Sequence, residues 1–138
     1  MADPRAFLSF DFDHDSGSKI LFAGQAASDS PTSFTLEDWS SKASLPEAEW
    51  EKLIATKVGN CHLMIVLVGK HMASAYGVVA EIAMAKNKDV PVFGVYVNGA
   101  DSSSTLPSGL PRNRTVAWEW KAIGKTVDQC MTEGKNAK

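Results

Sequence analysis

A chain of 138 residues with 44% hydrophobic and 22% charged side chains has enough apolar material for one sizeable core and the balance of a globular domain. Its net charge of −2 lacks the basic footprint expected of a nucleic-acid or anionic-membrane binder. Apolar runs fall short of the roughly 18 residues that a spanning helix needs, and acids come too early in "MADPRAFLSFDFD" for a signal peptide.

In chain order, the first element is "AFLSF" (residues 6–10), an apolar strand after a short polar tail. The acids Asp11, Asp13 and Asp15 follow, and a helix is predicted over residues 16–27 with Asp13 or Asp15 as its cap. "SFTLED" (33–38) reads as a weak edge strand. "LPEAEWEKL" opens a helix over 46–58, with Pro in the first turn and acids where the helix dipole favours them. "HLMIVLVG" (62–69) and "VPVFGVYV" (90–97) are apolar throughout, as strands covered on both faces are. A helix over 73–86 lies between them. "TVAWEW" (115–120) is a second weak edge strand, and a helix over 121–132 closes the domain. The predicted domain is a single unit over residues 5–133, with flexible tails at 1–4 and 134–138.

Alternating strands and helices predict an α/β, flavodoxin-like, doubly wound sheet of five mainly parallel strands, order 2-1-3-4-5, with helices on both faces. Ligands of such sheets bind beyond the carboxyl ends of the strands, where the order reverses. Here that places the site at residues 10–15 and 69–74.

Several chemistries lack their residues. A receiver-type phosphoacceptor would need an acid after the third strand, where Gly69 and Lys70 stand. A calcium loop starting at Asp11 would need Gly and Glu where Ser16 and Phe22 stand. The glycine fingerprint of dinucleotide-binding folds and the P-loop are missing, and His14, His62 and His71 have no metal spacing. Asp13 and Asp15 are read as a cap and a solvated acid, and His62 as a residue at a strand entrance. Asp11 stands closest to the expected crevice. Cys61 and Cys130 read as structural thiols of a reducing, cytoplasmic compartment.

Glu81 is the one charged residue in "GVVAEIAMA". At about 100° per residue, Ser74, Gly77, Glu81 and Lys88 fall on one face, with Val78, Ile82 and Ala85 read as the packing face. The simplest reading is a narrow solvent stripe. Two details point elsewhere. Gly77 costs about 1 kcal/mol against Ala in mid-helix and opens a notch one turn before the carboxylate. Ser74 and Glu81 also lie in the first turns after the third strand, overhanging the crevice.

The order and spacing of "RAFLSFDFDHD", "GQAASDSPTSFTLEDWS", Trp50, "CHLMIVLVGKHMASAYGVVAEIAMA" and "PVFGVYV" resemble the TIR-like proteins of bacterial Thoeris anti-phage systems, from Arg5 to about Trp120. The resemblance implies a TIR-like flavodoxin fold that uses NAD⁺ as substrate, requires no cofactor or metal, and makes a cyclic ADP-ribose-type signal. That signal would reach a downstream effector protein. It also implies that Glu81, in "GVVAE", is the catalytic glutamate. Many bacterial TIR domains have Trp four residues before that glutamate. Here Gly77 stands in its place, with Tyr76 as the neighbouring aromatic. By the same resemblance the substrate site includes Phe10, Asp11, Trp39, Ser40, Tyr76 and Gly77, and the place of the crevice and of the hydroxyl-rich loop after the second strand adds Asp38, Gly69 and Ser74. The loop from Trp39 to Ala43 would shape both the site and self-association. Two other readings remain: a non-enzymatic TIR-like interaction module, and an enzyme like the nucleoside deoxyribosyltransferases.

Overall fold

The fold is taken from a computed structural model that describes residues 4–37, 46–72 and 75–137. Strand β3 (Leu63–Val68) is its centre, and all six of its residues are buried. A strand can be apolar on both faces only where both are covered, and here helices cover both. Strands β1 (Arg5–Ser9), β2 (Thr35–Glu37), β4 (Val92–Tyr96) and β5 (Thr115–Val116) complete the sheet. All pairings are parallel and the order is β2-β1-β3-β4-β5, as the sequence predicts.

The pleat divides the core into two layers. Leu8, Phe10, Ile65, Leu67, Phe93 and Val95 pack under helices α1 (Phe12–Asp29) and α4 (Trp120–Cys130). Phe7, Met64, Val66 and Val68 pack under α2 (Glu47–Gly59) and α3 (Tyr76–Asn87). Each layer contains one free, buried cysteine, Cys130 and Cys61 respectively, and burial pushes both thiols up to about 11. Among the described residues no helix is long and apolar enough to cross a membrane.

Three boundaries differ from expectation, each for a local reason. Helix α1 begins at Phe12, not at residue 16, because the Asp11 carbonyl already accepts the Asp15 N–H at 2.8 Å. Asp13 and Asp15 therefore lie inside the helix and not at its cap position. The last strand ends at Val116, and the two tryptophans after it turn onto α1. Trp118 and Trp120 stand 5.8 and 4.9 Å from the Phe22 ring, and the Trp120 indole N–H donates to Gln25 at 2.9 Å. Residues 134–136, expected to fray, form a 3-10 turn. The Lys135 N–H donates to the Asp89 carbonyl at 2.8 Å, and the Asn136 amide donates to the His62 carbonyl at 2.7 Å. His62 is at the strand entrance as predicted, where its Nδ1 accepts the Arg5 N–H at 2.9 Å.

Candidate active site

The chain reverses its strand order between β1 and β3, so the carboxyl ends of these two strands flank the crevice. Two buried carboxylates approach this edge from opposite layers.

The first is Glu81. Helix α3 buries Val78, Glu81, Ile82 and Ala85, so the carboxylate is on the packing face and not on a solvent stripe. The helical geometry accounts for this. Val78 and Ala85 stand only about 60° and 40° from Glu81 around the axis, too close to be an opposite face. Only 5% of Glu81 is exposed. One of its partners is Ser9, the last residue of β1, which alternation places on the same side of the sheet as Phe7. The Ser9 hydroxyl donates to Glu81 Oε1 at 2.6 Å, in the range of a charge-assisted O–H···O⁻ bond. Sequence reasoning passed over Ser9. The signal for it is a small polar residue in "AFLSF" where the layer calls for an apolar one.

The second carboxylate is Asp15, which is fully buried. It was read as a cap or a solvated acid, and the early start of α1 instead turns it inward over the end of β3. Gly69 makes room for it: a Cβ there would lie 2.3 and 2.4 Å from the two carboxylate oxygens. Asn98 and Gly99, with φ of 53° and 81°, turn the chain after β4. This brings the Asn98 amide to Asp15 Oδ1 at 3.3 Å, while Oδ2 has no hydrogen-bond partner among the described residues. Burial pushes the Asp15 carboxyl above its ordinary 3.8; the Asn98 amide opposes this, Asp11 adds to it, and His71 and His14 oppose it. The native state thus holds this proton more tightly than the unfolded chain does. The wild type should lose stability as pH rises from about 4 through the native pKa. Asp15→Asn cannot titrate there. In urea titrations between pH 4 and 7, the midpoint of this variant should move upward relative to wild type as pH rises. A difference, variant minus wild type, that falls or stays constant over this range would contradict the assignment.

Around Asp15 the crest is polar. His14 Nδ1 and Asp11 Oδ2 are 2.7 Å apart, and the His14 and His71 rings stack with centroids 3.8 Å apart. Among the described residues no group of three or more His, Cys, Asp or Glu side chains is placed to hold a metal ion.

The predicted site residues take different positions. Glu81, Asp11 and Gly69 lie at or beside the crevice edge. Phe10 is buried in the layer beneath α1 and α4, on the sheet face away from Ser9. Tyr76 is 80% exposed at the start of α3, and Gly77 is half-buried. Asp38, Trp39, Ser40 and Ser74, together with the loop from Trp39 to Ala43, lie outside the described residues. A cleft of about 340 Å³ opens at the other end of the sheet, between Lys86, Val92, Pro111 and Arg114. Its guanidinium is committed to Glu133 at 2.8 and 3.1 Å, and it contains neither buried carboxylate.

A comparison with curated proteins gives no match. Residues 7–102, more than two thirds of the chain, match the family described as Thoeris protein ThsB, TIR-like domain, and this segment runs from within β1 past β4 with Ser9, Asp15, Gly69, Glu81 and Asn98. The parallel sheet in order 2-1-3-4-5 agrees with that assignment, and the chain belongs to the Thoeris ThsB TIR-like family.

Proposed function

We propose that this TIR-like defence protein cleaves NAD⁺ between nicotinamide and ribose, with Glu81 as the catalytic carboxylate, and releases a cyclic ADP-ribose-type signal. The observation that carries the reading is a buried glutamate, hydrogen-bonded to Ser9, at the carboxyl edge of the sheet where such folds bind ligands.

The chemistry asks little of the protein. Nicotinamide leaves from a pyridinium, so the electron pair of the breaking C1′–N bond neutralises a charge already present and no general acid is needed. The ribose left behind is oxocarbenium-like, as in glycoside hydrolysis. A fixed carboxylate near it stabilises the developing positive charge and accepts hydrogen bonds from the ribose hydroxyls. Burial reduces the screening of that interaction. A nucleophile, oxygen or nitrogen, then bonds to C1′ and a proton is released from it. Water gives ADP-ribose, and a hydroxyl or base nitrogen of the same molecule gives a cyclic product. Exclusion of water favours the cycle. The signal would act on a separate effector protein, and the loop from Trp39 to Ala43 would support self-association.

The test is NAD⁺ consumption with mass analysis of products, for wild type and Glu81→Gln, with and without lysate of phage-infected cells. Wild type should consume NAD⁺ and release nicotinamide in at least one condition, and Glu81→Gln in neither. Equal turnover by the two proteins, or an inactive wild type in both conditions, would overturn the reading.

A further inference from the structure

The Ser9–Glu81 bond joins the end of β1 to the second turn of α3 across 72 positions of sequence. Both partners are buried, Ser9 with 1% and Glu81 with 5% of its surface exposed. A serine in the middle layer of a parallel sheet leaves its neighbours with less apolar surface than Ala or Val would, so the hydroxyl needs a polar partner, which Glu81 supplies. Glutamate in turn has three side-chain torsions, and an unanchored carboxylate on α3 would sample several rotamers. The hydroxyl holds Oε1 and so restricts the rotamers open to the carboxylate. A donor to the charged form also favours ionisation.

We propose that Ser9 is a positioning residue of the glutamate, holding its orientation and donating to its charged form in the reaction; this rests on the NAD⁺-cleavage reading above. Ser9 does not touch the reacting atoms in this scheme. It acts through Glu81, so its loss should alter the chemical step and its pH dependence more than substrate binding.

The test compares Ser9→Ala, Ser9→Cys and Ser9→Thr with wild type and Glu81→Gln, in full-length protein, with rates per folded molecule. For Ser9→Ala the expected result is a kcat about 10- to 100-fold lower, a KM for NAD⁺ that changes much less, and an acid limb of the rate profile displaced to higher pH. Ser9→Thr retains the hydroxyl and should restore most of the rate and the original limb. Ser9→Cys preserves the volume with a weak donor and should follow Ser9→Ala, which tests the inference even if the Ala variant folds poorly. If Ser9→Ala or Ser9→Cys has the wild-type kcat and acid limb while Glu81→Gln is inactive, the positioning role is wrong and the proposed function stands. If Glu81→Gln turns over like wild type, both fail.

Discussion

Glu81→Gln is expected to lower NAD⁺ turnover by about 10²–10³-fold, the loss typical of removing one preorganised electrostatic group from a transition state. The substitution is close to isosteric, and the amide oxygen can still accept the Ser9 hydroxyl at the position where Oε1 now accepts it. What disappears is the negative charge. Stability should therefore change little, and packing effects are controlled by thermal melting of the same preparation. A melting temperature within a few degrees of wild type, with turnover lost, assigns the effect to charge. The loss should appear in kcat, because charge at C1′ develops in the transition state rather than in bound NAD⁺. A variant that loses only substrate affinity would place Glu81 in binding and not in catalysis.

Gly69→Ala is expected to be the most damaging single-methyl change at the crest, by about 2–4 kcal/mol. The new Cβ would stand 2.3–2.6 Å from three atoms of the Asp15 carboxyl group. That group is fully buried and accepts from Asn98, so it cannot swing into solvent without giving up its place over β3. Gly69 is not among the residues with positive φ, so the penalty is steric and not a matter of backbone strain. Thermal unfolding should fall by roughly 10 °C. The cause is checked by the double variant Asp15→Ala/Gly69→Ala, in which the collision is gone. Its destabilisation should be smaller than the sum of the two single effects, as contacting pairs show. Additive losses would mean that Gly69 and Asp15 do not constrain each other.

The sheet was legible in the sequence because its central strands are apolar on both faces. The run "HLMIVLVG" has no alternation to mislead, and its burial in the structure is complete. The edge strands were legible only as regions. β5 has two residues, and its end depends on Trp118 and Trp120 finding Phe22 on α1, a contact with no local signature. The site was legible in part for the same reason. Glu81 stood out as a lone acid in an apolar helix, but its burial was misjudged because Val78 and Ala85 were set opposite it, when they flank it around the helix axis. Ser9 broke the pattern of its strand and could have been paired with that acid on alternation alone. Asp15 and Asn98 could not be foreseen. They meet across 83 positions, and their contact depends on where α1 starts and on the turn at Asn98–Gly99.

The two carboxylates divide the crest by environment. Glu81 accepts a hydroxyl from Ser9, whereas Asp15 accepts an amide from Asn98, and burial, with Asp11, pushes the Asp15 carboxyl up. Asp15 has a structural place beneath the crest, tying α1 to the ends of β3 and β4 through Gly69 and Asn98.

The most direct measurement is a structure of the protein with a non-cleavable NAD⁺ analogue. The Glu81 carboxylate should lie within hydrogen-bond reach of a ribose hydroxyl on the nicotinamide side, about 2.6–3.2 Å, with Ser9 still donating to it. An analogue bound with its nicotinamide ribose far from Glu81 would contradict the assignment of this glutamate as the catalytic group.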